Sequence, residues 1–364
     1  MVSISLCMIV KDEEQVLHRC LSCVSHIVDE IVIVDTGSRD GTKNIARSFT
    51  NRVYDFEWID DFAAARNYAF SLASKDYILW LDADDVLLEN DQQKLRHLKD
   101  TLDLSTDSVT MLYHLRTDEY GNVTFSLRRN RLVKRSRDYR WIGAVHEYLE
   151  VYGNIIHSDV AITHASSEID TDSGRNLRIY KRLEASGEAF TPRDLFYYAN
   201  EWKDHRNFRK AIEYYEKFLE TQSGWIEDVL AACSRLADCH HELGDAQASF
   251  EASVRSLQYA APRPEFCCRI GYRFLEKGDY TTAVFWYTLA TGLELPADHM
   301  GFQNASFHTW LPHLQLAVCY DRIGKYELAN EHNEKALSYR PEDATMLANR
   351  EYFRNRLHPN ENDL

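Results

Sequence analysis

A chain of 364 residues exceeds the roughly 150 residues of a typical single domain, so two domains are expected, each with its own core. Hydrophobic residues at 45%, with 14 Gly and 7 Pro, exclude a collagenous or largely disordered polymer. Against 57 Asp and Glu stand 42 Lys and Arg, a net charge of −15 that repels phosphate backbones and anionic lipid and so excludes indiscriminate nucleic-acid or membrane-surface binding.

The chain opens on SISLCMIV, an apolar run without the basic lead and cleavage site of a signal peptide, and no later run approaches the roughly 20 apolar residues of a membrane span. A cytoplasmic protein is expected. Strand-like runs stand at Ile4 to Val10, Glu30 to Asp35, Arg52 to Asp55, Tyr77 to Leu81, Ser108 to His114 and Val160 to His164. Helical stretches lie near 13–26, 40–49 and 61–73 between the first four runs, and near 90–103 after them. This alternation predicts an α/β domain with a mostly parallel, nucleotide-binding type of sheet over residues 1–165, where ligands gather beyond the carboxyl ends of the strands. The eight cysteines are scattered, and Cys20-x-x-Cys23 lacks the second pair or nearby histidines of a zinc site, so they read as reduced structural thiols.

A connection over 166–191 leads to an all-helical region, 192–358, which repeats internally. Small residues Ala211, Ser249, Ala283 and Ala329 each follow another small residue, Ala199, Ala237, Gly271 or Ala317, by twelve positions; Trp202, Phe274 and Tyr320 stand three beyond three of the latter. Small residues let paired helices approach closely. The last unit adds Gly324, Ala336 and Pro341. The pattern resembles the tetratricopeptide repeat, degenerate in spacing and with an insertion around 294–310; stacked units of this kind create a groove suited to extended peptides. Unrelated helical hairpins are the alternative.

Three acidic or polar clusters sit where strands end. Tyr77-Ile-Leu-Trp-Leu runs into Asp82-Ala83-Asp84-Asp85; Asp82 and Asp84 project to one side of an extended segment, where they could hold a hard divalent cation gripping diphosphate oxygens. The alternative is a turn whose aspartates cap the next helix. Ile33-Val-Asp35-Thr36-Gly37-Ser38 ends the second strand in a carboxylate able to accept the N3–H of uracil, or simply in a turn before a capped helix. Asp60-Asp61-Phe-Ala-Ala-Ala-Arg66-Asn67 opens a helix on which Arg66 could pair a phosphate and Asn67 orient a sugar hydroxyl, or lie on a solvated face.

In this order, and after Cys7-Met-Ile-Val-Lys11-Asp-Glu-Glu14, these motifs resemble glycosyltransferase family 2, inverting nucleotide-sugar transferases of the GT-A fold. With the appended repeats the chain is similar to the bacterial SunS-like branch, which glycosylates cysteine in bacteriocin peptides. The resemblance implies that Val10 and Glu13 or Glu14 line the nucleotide pocket, that Asp35 meets uracil, and that Asp82, Ala83 and Asp84 supply the D-x-D segment, with Asp84 nearest a Mn2+ or Mg2+ ion. Many relatives carry a second aspartate where Thr36 stands here. Gly143-Ala-Val145-His146-Glu147 resembles a G-x-V-H-E segment of the branch and makes Glu147 the candidate base; the alternative is an exposed strand glutamate. His164 is implied to reach the metal or diphosphate, or else is structural. Arg128, Arg129 and Arg131, a basic cluster in an acidic chain, could neutralise the leaving diphosphate, Arg131 foremost, or form a solvated strand face.

The expected activity is metal-dependent inverting transfer of a hexose or N-acetylhexosamine from a UDP-sugar to a peptide or protein acceptor held by the repeats, with a homodimer compatible with the repeats. An inactive transferase-like scaffold that binds peptides is the alternative. Nucleotidyl transfer is disfavoured, since the first strand leads into Lys-Asp-Glu-Glu and not a Gly-rich, lysine-containing loop.

Overall fold

The computed structural model describes residues 1–165, 174–294 and 299–358. Parts of the expected connection over 166–191 and of the insertion near 294–310 lie outside the described residues. The chain forms two compact units, one of Met1–Thr117 with Phe125–Ala189, the other of Asp118–Thr124 with the residues from Phe190 onward.

In the first unit, strands β1 (Ile4–Val10), β2 (Glu30–Asp35), β3 (Val53–Asp55) and β4 (Tyr77–Trp80) pair in parallel in the order β3-β2-β1-β4. The sheet continues through β7 (Val123–Lys134), antiparallel to β4, then β6 (Ser108–Thr117), β10 (Ile155–His164) and the two-residue β5 (Asp85–Val86). Alternate residues serve opposite faces, as the pleat demands. Leu6 and Met8 of β1 join Leu79 of β4 and the helices α1 (Leu17–Val24) and α4 (Glu89–Thr101) in one core; Cys7, Ile78 and Trp80 join α3 (Phe62–Ser71) in another. Helix α2 (Thr42–Phe49) completes the crossovers after β2.

The first helix starts at Leu17, four residues later than the apolar pattern predicts. Asp12 takes a left-handed conformation (φ 55°), so Lys11 to Val16 form a turn before the helix can begin. β7 departs further from expectation: no strand was expected over Val123–Lys134, yet it is a long central strand carrying Arg128, Arg129 and Arg131, and Arg131 packs its guanidinium against Trp80 and Tyr113 of the neighbouring strands instead of forming a solvated face. A small hairpin of β8 (Trp141–Ile142) and β9 (Tyr148–Leu149) projects beside α3. Helix α5 (Arg175–Ser186) closes the unit. All eight cysteines are free thiols, and seven are buried.

The second unit consists of helix hairpins: α6 (Pro192–Asp204) with α7 (Phe208–Glu220), α8 (Ile226–Glu242) with α9 (Ala246–Arg255), α10 (Pro264–Glu276) with α11 (Tyr280–Gly292), α12 (Trp310–Arg322) with α13 (Tyr326–Tyr339), and a closing α14 (Ala344–Leu357). The hairpins meet at the small residues, except that Ser249 of α9 is only partly buried. Ala199, Ala211, Ala237, Ala283, Ala317 and Ala329 are wholly or almost wholly buried, and Gly271 lies under Tyr287, where a Cβ would meet the ring at 3.2 Å. These are tetratricopeptide-like repeats. No helix among the described residues is long and apolar enough to cross a membrane.

Candidate active site

The site forms where β1 and β4 end. A cavity of about 290 Å³ is lined by Ile9, Val10, Lys11, Glu13, Thr36, Trp58, Phe62, Arg66, Asp82, Ala83, Asp84, Tyr113, His164 and Arg175. Apolar strands deliver carboxylates here because the backbone leaves the sheet as soon as β4 ends. Ala83 and Asp84 sit in a turn closed by the Asp85 amide donating to the Asp82 carbonyl at 3.1 Å. The expected extended segment is therefore absent, and the turn sends the two carboxylates to different partners.

Asp82 accepts a hydrogen bond from Arg66 Nη2 at 2.7 Å, and Arg66 Nε donates to Glu147 Oε1 at 2.6 Å. Burial alone would raise the Asp82 carboxyl, but the Arg66 and Arg131 charges outweigh it and hold the group well below the usual carboxylate range. Arg66 is itself enclosed between Trp80 and Trp141, with its Cζ at 5.1 and 4.8 Å from the ring centroids. The β8–β9 hairpin brings Glu147 to this guanidinium, and Asn67 fixes the hairpin: its Nδ2 donates to the Trp141 carbonyl and its Oδ1 accepts from the Trp141 amide, both at 2.9 Å. Asn67, expected at a sugar hydroxyl, thus clamps backbone.

Asp84 faces His164, with Oδ2 to Nδ1 at 3.4 Å. The reason is register: β5 pairs antiparallel with β10, His164 lies opposite Asp85, and the Ala165 amide donates to the Asp84 carbonyl at 2.9 Å. The Asp84 hydrogen bond raises the pKa of His164 despite burial. Asp84, Asp85 and His164 offer ligand atoms within 4.8 Å of one another. Asp85 is completely buried; its Oδ2 takes Arg131 Nη1 at 2.9 Å and the Asp82 amide at 2.9 Å, while its Oδ1 is buried without a hydrogen-bond partner. The nearby Tyr113 hydroxyl is engaged with His164 Nδ1 at 3.2 Å. Two carboxylates and an imidazole, one oxygen of them unsatisfied, make a donor set that fits a divalent cation.

Glu13 reaches the same cavity, and burial followed by repulsion from Asp84 and Asp82 pushes its carboxyl up to about 7. Glu14 does not line the cavity; it accepts from the Gly41 amide at 2.7 Å and ties the first loop to the start of α2. Asp35 is 1% exposed, and its Oδ1 accepts from the Gly37 and Ser38 amides at 2.9 and 2.8 Å. Its neighbour Thr36 lines the cavity in its stead. Arg131, expected at a leaving diphosphate, is wholly buried and holds Asp85 from beneath. Its sequence surroundings carry no sign of this, because the partner lies on another strand.

Lining or supporting residues given no role by the sequence include Ile9, Lys11, Asp85, Tyr113, Trp58, Phe62 and Arg175. Asp85 had a signal, the third carboxylate of its run; the aromatic residues and Arg175 carry no pattern that distinguishes them from core or surface. Trp58 and Phe62 pack edge to face at 4.8 Å between centroids, and Trp58 Nε1 donates to Asp60, which pairs with Arg182 of α5.

A family model described as glycosyl transferase family 2 matches residues 5–148. A TPR repeat-containing protein of Synechococcus elongatus is 30% identical over 329 residues, covering 88% of this chain and 74% of that protein. The SPbeta prophage-derived glycosyltransferase SunS of Bacillus subtilis is 25% identical over 247 residues, 63% of this chain and 57% of its own length. An uncharacterized glycosyltransferase of Rickettsia typhi is 31% identical over 98 residues, so the chain spans about a third of that relative. Among solved structures, the C-terminal part of a TPR repeat-containing protein from Cytophaga hutchinsonii matches with a TM-score of 0.41 at 14% identity, over 52% of this chain and 67% of that one.

Proposed function

From the match of residues 5–148 to the glycosyl transferase family 2 model, we propose that the chain is a metal-dependent inverting transferase moving a sugar from a nucleotide-sugar, a UDP-sugar in the first instance, to a peptide or protein acceptor. The observation that carries this reading is the convergence of Asp82, Asp84, Glu13 and His164 on one cavity at the ends of β1 and β4. Asp84, Asp85 and His164 would hold the cation, and the imidazole among them suits Mn2+ better than Mg2+. Bound there, a dication supplies charge stabilisation to the donor's diphosphate.

The chain's own groups do the remainder. Val10 and Thr36 are the lining residues against which the nucleoside would rest, and Trp58 and Phe62 offer aromatic surface to a ring. Glu147 is the base: the acceptor nucleophile bonds to the anomeric carbon, the bond from that carbon to the diphosphate oxygen breaks, and the nucleophile's proton passes to the Glu147 carboxylate. Arg66 keeps that carboxylate in place by sharing itself between Glu147 and Asp82. A thiol acceptor, ordinarily near pKa 8.5, asks less of this base than a hydroxyl. The repeats offer the protein-binding surface, which favours a peptide acceptor.

Incubating the protein with a panel of UDP- and GDP-sugars and Mn2+, and measuring release of free nucleoside diphosphate, tests the reading. Turnover with at least one donor is expected, and Asp84→Ala should abolish it. Undiminished turnover in that variant overturns the metal role, and no turnover or binding with any donor overturns the donor class.

A further inference from the structure

Breaking the bond between sugar and diphosphate leaves an electron pair, and a full added negative charge, on the leaving oxygen. Cations near that oxygen act on the rate because the charge is larger in the transition state than in the bound donor. Of the arginines near the cavity, two are unavailable: Arg131 is wholly buried against Asp85, and Arg66 is held by Asp82 and Glu147. Two other cations line the wall, Lys11 and Arg175.

They differ in what surrounds them. Lys11 is followed directly in the chain by Asp12, Glu13 and Glu14, whose charges oppose its own. Arg175 is the first residue of α5, is exposed, lines the cavity, and stacks its guanidinium carbon 4.7 Å from the centroid of the Phe62 ring. It makes no ion pair with any described residue. Stacking on Phe62 uses the flat face of the guanidinium and fixes its plane, while the N–H edge stays free to donate two parallel hydrogen bonds to neighbouring phosphate oxygens. Arg182, one α5 turn-pair further on, has the opposite arrangement: it is paired with Asp60 and anchors the helix to the loop that carries Trp58 and Phe62. Arg175 is thus presented by a helix already tied to the aromatic wall.

We propose that Arg175 is a catalytic residue, the cation that receives the charge of the departing nucleoside diphosphate. The assignment deepens the nucleotide-sugar reading above and rests on it. The balance of the step is complete without further reagents: the nucleophile's bond to the anomeric carbon forms, the carbon–oxygen bond to the diphosphate breaks with its electrons on that oxygen, the proton goes to Glu147, and Arg175 stays protonated throughout while its hydrogen bonds shorten onto the leaving group.

The test is titration of UDP and of UMP, each with Mn2+, into the whole chain and its Arg175→Gln, Arg175→Lys and Lys11→Met variants, together with turnover on the donor that the panel selects. For Arg175→Gln we expect affinity for UDP to fall about tenfold with affinity for UMP unchanged, and kcat to fall about a hundredfold, the range seen when one preorganised donor to a developing anion is removed. Arg175→Lys restores part of kcat, and thermal unfolding is unmoved in both, since the side chain is exposed. A UDP-to-UMP affinity ratio in Arg175→Gln equal to that of the unaltered protein overturns the proposal, as does a loss of that ratio confined to Lys11→Met. Failure of the unaltered chain to bind any nucleoside diphosphate, UDP and GDP included, instead overturns the donor reading, and this assignment with it.

Discussion

Replacing Arg131 by methionine leaves Asp85 stranded. Both side chains are fully enclosed, with Arg131 Nη1 2.9 Å from Asp85 Oδ2 and the guanidinium carbon 3.9 Å from the Trp80 ring centroid and 4.4 Å from that of Tyr113. Methionine fills much of the same slot between the rings, so the loss is chiefly one of charge: the carboxylate keeps the Asp82 amide and nothing cationic. Removing one member of a buried ion pair costs roughly 3–5 kcal/mol. For a unit of this size about 2–4 °C of melting temperature go with each kcal/mol, a fall of about 6–20 °C. The pH dependence has a definite sign. Burial already raises the Asp85 carboxyl above its usual value against the pull of Arg131, with Asp82 adding to the rise; without Arg131 it climbs further. A carboxyl raised on folding is harmless below its unfolded pKa, near 3.9, and destabilises as pH climbs toward its folded one. Arg131→Met should therefore be penalised less at pH 5 than at pH 8. Arg131→Met with Asp85→Asn should recover most of the loss, since the buried charge is then gone. Thermal unfolding followed by tryptophan fluorescence at both pH values, in chelator, measures all three. A destabilisation under about 1 kcal/mol, the same penalty at both pH values, or a double variant no better than the single one refutes the account.

Arg66→Lys keeps the charge but replaces a fork by a point, which cannot hold both Asp82 and Glu147; turnover should fall at least about tenfold, and a cycle with Glu147→Gln should be non-additive by about 1–3 kcal/mol. Additive losses in that cycle would separate the two residues. Mn2+ affinity should rise between pH 6 and pH 8, because Glu13, at about 7, sheds its proton in that window and His164, raised by Asp84, must lose its proton before a nitrogen can ligate. Isothermal titration at three pH values reads this, and Glu13→Gln should flatten the upper part; a profile unchanged by that substitution contradicts the role given to Glu13. Asn67→Ala removes two hydrogen bonds to the Trp141 backbone, so we expect a loss of about 1–3 kcal/mol in thermal unfolding and a fall in kcat with KM little changed. Unaltered kcat would mean that the β8–β9 hairpin needs no such clamp to aim Glu147.

The parallel half of the sheet is legible in the sequence because β1, β2 and β4 are covered on both faces and read as unbroken apolar runs. β7 is not, since its polar and charged residues are stabilised by aromatic rings from strands far away in the chain, information that local periodicity does not contain. The acidic run after β4 marks the site, but its geometry is a turn, and only the long-range pairing of β5 with β10 distinguishes Asp84, turned to His164, from Asp82, turned to Arg66. Asp35, at the end of an ideal apolar strand, looks like a ligand-reading carboxylate; its Oδ1 is taken by two amides of the turn that the following glycine permits, with Gly37 at φ 107°, while its Oδ2 is buried without a hydrogen-bond partner. The small-residue spacing reported the helix hairpins well because close packing leaves few choices of residue at each crossing, such as Gly271 under Tyr287.

The two-rung pairing of β5 with β10 also fixes an order of events during synthesis. A nascent chain released only as far as β9 already contains Asp82, Asp84 and Asp85, yet it has neither the imidazole nor the strand that locks their turn. Such an intermediate has Arg66 and Arg131 to meet Asp82 and Asp85 but leaves Asp84 without His164, and docking of β10 is the event that gives the acidic turn its fixed shape. Ribosome stalling before and after residue 164 should thus separate a chain with weak, unselective cation uptake from one with a formed pocket.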